Sequence, residues 1–255
     1  MRRLILAGLA LLAVPALALG GKTVTAGTDT LRIKAKLAPA KASKTKGAAR
    51  PVAVKYDYVA GTTDGSRLPD LRSVKVFLGG VVTNYDAFPK CDETDARTKG
   101  RGACPEGSRV GSGRATAEIH LGDSKEVVSA KVLVYNGRLD TDRNGAPLDT
   151  PKDGLLIYTK IEGANLALPF WAERGNRQVA YYNPEQDPDP NADALYTIKE
   201  VHLTFPRRSA RKGGRRIPWN QAPRKCRGRW TARTTSDRYQ GGELTAKHVI
   251  KCEKA

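Results

Sequence analysis

Apolar and polar residues alternate with a period of two over much of this chain. Residues 31–37 (Leu-Arg-Ile-Lys-Ala-Lys-Leu) set apolar positions against basic ones, the mark of a strand with one buried face. Val52, Val54, Tyr56 and Tyr58 repeat the pattern, and residues 73–78 form another apolar-rich run closed by Gly79-Gly80. Residues 109–121 alternate around small side chains, where Gly111 and Gly113 predict a bulge or a close backbone approach. The two runs richest in Val, Ile, Leu and Tyr are 127–135 and 155–161, with a loop expected between them at 136–154. Residues 195–205 predict a long strand whose apolar phase slips between Ile198 and Val201, as a β-bulge would produce. Residues 178–182, 228–235 and 243–252 complete a set of about ten expected strands.

No stretch carries a sustained helical stripe with caps, and residues 61–70 and 184–193 read as turns or loops. Short strands joined by Gly-, Pro- and Asp-rich turns predict an all-β protein, an antiparallel β-sandwich of jelly-roll or immunoglobulin-like type. A chain of 255 residues forms such a domain with a substantial core. Residues 19–255 are expected to be one domain, with a flexible, Ala/Lys-rich loop at 38–50.

The N-terminus adds a compartment. Arg2 and Arg3 precede an apolar run over 4–19, and Ala16-Leu17-Ala18 supplies a small-x-small cleavage pattern, so residues 1–18 are expected to be a signal peptide. Export to a secreted or extracytoplasmic, envelope-associated location gives the four cysteines an oxidising setting. Three pairings are formally possible; proximity in the chain favours Cys91–Cys104 and Cys226–Cys252. Closing those loops would stabilise by roughly 3 and 3.5 kcal/mol. The rival, a metal site, lacks Cys-x-x-Cys spacing, and His120, His202 and His248 are scattered through expected strands.

Further motifs mark a resemblance. Phe88-Pro89-Lys90-Cys91, then Cys104-Pro105-x-x-Ser108-x-Val110-Gly111-x-Gly113-x-Ala115, then Val134-Tyr135-Asn136-Gly137 stand in order. Cys226-x-Gly228-x-Trp230 and Gly241-Gly242 ahead of Cys252 follow. Together they resemble an uncharacterised family of exported actinobacterial β-rich proteins, over most of the chain from about Leu31 onward. The resemblance implies a secreted β-rich domain with paired cysteines, and transfers no catalytic or ligand residues.

Charge changes the picture most. The net charge is +18, or +16 without Arg2 and Arg3. Between 207 and 233 stand Arg207, Arg208, Arg211, Lys212, Arg215, Arg216, Arg224, Lys225, Arg227, Arg229 and Arg233, with no acid among them. Such a cluster is a solvated face by default, but its density predicts salt-dependent binding of polyanions. Outside the cell these would be anionic wall polymers or a lipid surface. Nucleic acid is disfavoured, because only Trp219 and Trp230 interleave the cations.

Three other constellations bear on chemistry. Asp140-Thr141-Asp142-Arg143-Asn144-Gly145 matches the first half of a calcium loop, with Asp140, Asp142 and Asn144 as ligands. Its twelfth position is Pro151, so Asp149 or Asp153 would have to close the site; a polar hairpin turn is the competing reading. Glu185 and the acidic run 187–193 read as a solvated loop. Trp171 and Trp219, in proline-flanked segments, are expected to be exposed and are the candidates for stacking on carbohydrate, whereas Trp230 is expected to be core near the second staple. No catalytic residue is assigned: there is no Gly-x-Ser-x-Gly element, and the cysteines are expected to be oxidised. The leading expectation is a non-catalytic envelope-binding protein; a carbohydrate-binding module comes second and a glycan-active hydrolase third.

Overall fold

The computed structural model describes residues 21–43, 49–69, 71–121, 124–141, 147–161, 167–175, 178–182, 194–239 and 242–254. The expected signal peptide, Asp142, Asn144 and the acidic loop 184–193 lie outside the described residues.

The alternating segments fold as strands. β1 (Val24–Ala26), β2 (Asp29–Ala38), β3 (Ala53–Thr62) and β4 (Leu71–Leu78) open the chain. Short β5 (Val82–Thr83) and β6 (Cys91–Asp92) lead into a helix, α1 (Glu93–Lys99). Then come β7 (Arg109–Leu121), β8 (Ser124–Thr141), β9 (Pro147–Ile161), β10 (Ala167–Gly175), β11 (Gln178–Tyr182) and β12 (Ala194–Phe205). The C-terminal part holds β13 (Ser209–Lys212), β14 (Arg215–Pro218), β15 (Asn220–Gln221), β16 (Arg229–Arg238) and β17 (Gly242–Lys251).

One hydrogen-bonded path runs β1-β2-β3-β12-β7-β8-β9-β10-β11-β4-β16-β17, and β6 adds to β8 in parallel. Every pairing along the path is antiparallel. The far end of the path turns back on its start, so that β16 and β17 pack against β2. The result is an all-β sandwich. Its core holds the inward sets the alternation predicted: Leu31, Ile33, Ala35 and Leu37 of β2 meet Trp230, Ala232, Ala246 and Ile250 of β16 and β17. Across the same core Tyr56 Oη bonds Thr234 Oγ1 at 2.8 Å and Tyr58 Oη bonds Ser236 Oγ at 3.2 Å.

The bulge in β12 falls where the apolar phase slips, with a register shift between Ile198 and Glu200. Gly113 is a close approach, since a Cβ there would stand 1.8 Å from the His202 carbonyl oxygen. Both disulfides form as paired, Cys91–Cys104 and Cys226–Cys252, and such bonds belong to an oxidising, extracytoplasmic compartment. No helix among the described residues is long and apolar enough to cross a membrane.

Three expectations need correction. The loop expected at 136–154 is largely strand, because β8 runs on to Thr141 and β9 begins at Pro147. Its polar residues serve the neighbouring loop instead of a hydrophobic face. Asn136, fully buried, donates Nδ2 to the carbonyl oxygens of Tyr85, Phe88 and Pro89 at 3.0–3.1 Å. Second, α1 was not expected. It is signalled by local electrostatics and not by a stripe: Asp92 caps the Asp95 N–H, and Glu93–Arg97 and Asp95–Lys99 pair at i, i+4. Third, the described parts of the 38–50 loop are tied down. Ala42 N–H bonds the Glu253 carbonyl, and buried Ser43 donates its hydroxyl to the Ala222 carbonyl.

A partly open apolar cavity of about 180 Å³ lies within the sandwich, lined among the described residues by β3, β4, β7, β8, β9 and β12.

Candidate functional site

Topology gathers the basic segment at one end of the sandwich. β12 ends there at Phe205 and β16 begins there at Arg229, with β13, β14 and β15 between them. The C-terminal ends of β4 and β17 reach the same end, through Leu78↔Ala232 and Arg229↔Lys251. The expected basic loop is in fact built on a hairpin. β13 and β14 join through Gly213-Gly214, both at positive φ (+56° and +74°), the conformation a two-residue hairpin turn demands.

The hairpin's base is apolar and fixed. Trp219 is 1% exposed and packs edge-on against Tyr85 and Phe88, with ring centroids 5.2 and 5.3 Å away. Its N–H bonds the Arg208 carbonyl at 2.8 Å and its carbonyl accepts the Asn84 N–H at 2.9 Å. Asn84 Nδ2 also donates to the Pro218 carbonyl at 2.7 Å. Hydrophobic burial thus pins the root, and the charged tip projects.

The charges oppose one another. Arg211 stands directly across from Arg216, and Lys212 from Arg215. Adjacent strand positions point to opposite faces, so each face of the hairpin carries one cation pair. On the β16–β17 ribbon Arg229 faces Lys251 and Arg233 faces Lys247. All eight side chains are exposed. Like charges directly opposite destabilise a sheet pair, and here the pattern occurs four times. Further along the same ribbon the sign reverses, with Asp237 facing Glu243.

Among the described residues, no carboxylate pairs with any of the cations at 207–229. Lys212 donates Nζ to the Asp86 carbonyl at 2.9 Å. Arg207, Arg224, Lys225 and Arg227 are exposed as well, and Arg208 is half-buried. The second staple holds the loop that carries Arg224 to Arg227. Cys226 is bonded to Cys252, Cys252 N–H reaches the Gly228 carbonyl, and Trp230 Nε1 donates to the Lys225 carbonyl at 2.8 Å. Trp230 is core beside that staple, as its spacing predicts.

Sequence proximity could not add Lys247 and Lys251, which join the cluster only through the β16–β17 register. Arg109 was missed for the same reason; exposed, it starts β7 alongside the end of β12. Nothing in the sequence around it marks this place, which strand pairing alone decides.

The other candidates separate. Trp219 is buried and cannot stack on a sugar, because a proline-flanked position proved to be the seat of the hairpin. Trp171 lies in β10 and not in a loop, its backbone paired with Leu156; its side chain lies outside the described part of the protein. Asp140 turns its carboxylate to α1, where Oδ2 accepts the Thr94 hydroxyl at 3.2 Å. Asp153 accepts Lys90 Nζ at 2.6 Å. No group of three or more His, Cys, Asp or Glu gathers among the described residues.

The described histidines sit on the strands. His202 Nδ1 is 2.9 Å from Asp57 Oδ1 and its Nε2 is 3.3 Å from Glu200 Oε2. Partial burial pulls its pKa down, but those hydrogen bonds and charges outweigh it and hold the value above that of an ordinary histidine. His248 goes the other way, lowered by burial and by the charge of Lys34.

Comparison with protein-family models, curated proteins and solved structures finds no match for this chain.

Proposed function

We propose that this is an exported, non-catalytic binding protein of the cell envelope that holds anionic polymer or an anionic lipid surface through its basic end. The observation that carries the reading is the set of four exposed, directly opposed cation pairs on two ribbons, with no carboxylate among the described residues paired to the cations at 207–229. A folded protein bears such repulsion at a cost, and an anionic surface laid across the pairs removes it. Guanidinium groups suit the task, since their planar fork matches phosphate and carboxylate oxygens. The mechanism is charge neutralisation with release of counterions, so affinity falls steeply with salt. A signal peptide at residues 1–18 and kinship with exported actinobacterial proteins belong to the same proposal, which the two disulfides support. Burial of Trp219 removes one of the two aromatics of the carbohydrate reading.

The test is binding of long-chain polyphosphate, and separately of phosphatidylglycerol vesicles, across a salt series. Binding to either that weakens linearly in log–log form supports the reading and names the surface. Salt-independent binding, or none at low salt, overturns it.

A further inference from the structure

We propose that the cavity inside the sandwich is a binding site for a single linear alkyl chain, such as a fatty acyl group or an alkanol. Three observations point to it, and none depends on the basic end.

The first is chemistry. The cavity of about 180 Å³ is faced by aliphatic and aromatic groups, among them Tyr56, Tyr58, Leu155, Ile157, Leu203 and Phe205, and no polar atom of the described residues is exposed to it. The two tyrosine hydroxyls are spent on Thr234 and Ser236 of β16, so their rings form part of the wall. Water needs two or more polar partners to be held in such a space, and the described lining offers none.

The second is size. Protein interiors rarely keep voids larger than one water, whereas apolar cavities of roughly 150 Å³ bind benzene or xenon. The third is shape. The wall runs from Leu71 to Leu78 on β4 and from Ile198 to Phe205 on β12. Seven steps of strand cover about 23 Å. A volume this small spread along that length is slender, which suits a chain and not a ring system.

The test measures displacement of the uncharged dye N-phenyl-1-naphthylamine by 1-dodecanol, at about 0.5 M NaCl, where the basic end is screened. Saturable, equimolar displacement is the expected result. Ala115→Phe places a ring in the cavity from β7. It should weaken binding about tenfold or more, as excluding a methylene or two from an apolar pocket does. A folded Ala115→Phe protein that binds as well as the unaltered one, or an unaltered protein without displaceable binding, overturns the proposal. Circular dichroism checks the fold of the variant. If it does not fold, a nitroxide-bearing alkyl chain added to the unaltered protein should broaden the methyl resonances of Ile157, Ile198 and Val201; unbroadened methyls overturn the proposal equally. The polyphosphate titration is unaffected by either outcome, so the two proposals fail separately.

Discussion

Replacing Arg215 and Arg216 by serine removes one member from each cation pair of the β13–β14 hairpin, and should move stability and binding in opposite directions. Opposed side chains in an antiparallel pair lie about 5 Å apart at Cβ, well inside the screening length of about 10 Å at 0.1 M salt. These groups are exposed, so water and salt discount the repulsion; relieving both pairs is worth roughly 0.5 kcal/mol. The variant should therefore be slightly more stable than the parent in urea unfolding at low salt, with the difference shrinking towards 1 M NaCl. Binding should go the other way. Losing two phosphate contacts lowers the slope of log K against log[salt] by about 1.4 for a flexible single chain. The assay is polyphosphate affinity at four or five salt concentrations, alongside urea unfolding at the two extremes. An unchanged slope would show that the hairpin is a solvated loop. A loss of stability would show that its charges are compensated in a way the register does not reveal.

Trp219→Ala should cost about 3–5 kcal/mol, the range for truncating a buried aromatic, because the ring is 1% exposed and holds Tyr85 and Phe88 at the hairpin's root. Urea unfolding measures it, and a loss under about 1 kcal/mol would contradict that packing. Gly113→Ala should destabilise strongly or prevent folding, since its Cβ would stand 1.8 Å from a backbone oxygen of β12; a variant with an unshifted melting temperature would refute the close approach. His202 gives a pH signature. Its folded pKa is raised, so its contribution is fully present below about pH 6.5 and is lost as pH rises through the folded value. The effect is under about 1 kcal/mol for so exposed a pair, and His202→Gln should abolish it. Because His248 is lowered and acts in the opposite sense, the comparison is made in a His248→Gln background, by unfolding between pH 5 and 9.

Much of this protein is legible along the chain, because alternation is a local property. A strand with one buried face tends to place apolar groups at every second residue, and β2 and β3 do so in their central residues, while β16 keeps the alternation of burial but fills it with Trp230, Ala232, Thr234 and Ser236. The bulge in β12, the demand for glycine at Gly113 and the two staples were readable for the same reason, since each leaves its mark within a few residues or a short loop. The length of β8 and β9 was not. Their outer halves pair with each other and with the Cys91 segment, so the Asn136 Nδ2 of β8 and the Glu93 carboxylate of α1 find distant backbone partners. Glu93, for one, accepts the Asp140 and Thr141 N–H groups. Helix α1 was missed because seven residues held by a cap and two ion pairs show almost no apolar period.

The basic cluster divides in the same way. Its existence at 207–233 is composition, fixed by the order of residues. That its cations oppose one another, that Lys247, Lys251 and Arg109 stand with them, and that Trp219 is a buried anchor and not an exposed platform, were decided by register across strands. Pairing between strands sets which side chains meet, and it is governed by burial summed over the whole sheet, a sum no single segment contains. The cavity belongs wholly to that level. Each described wall residue is an ordinary inward position of its own strand, and the space exists only because strands far apart in the chain curve around it.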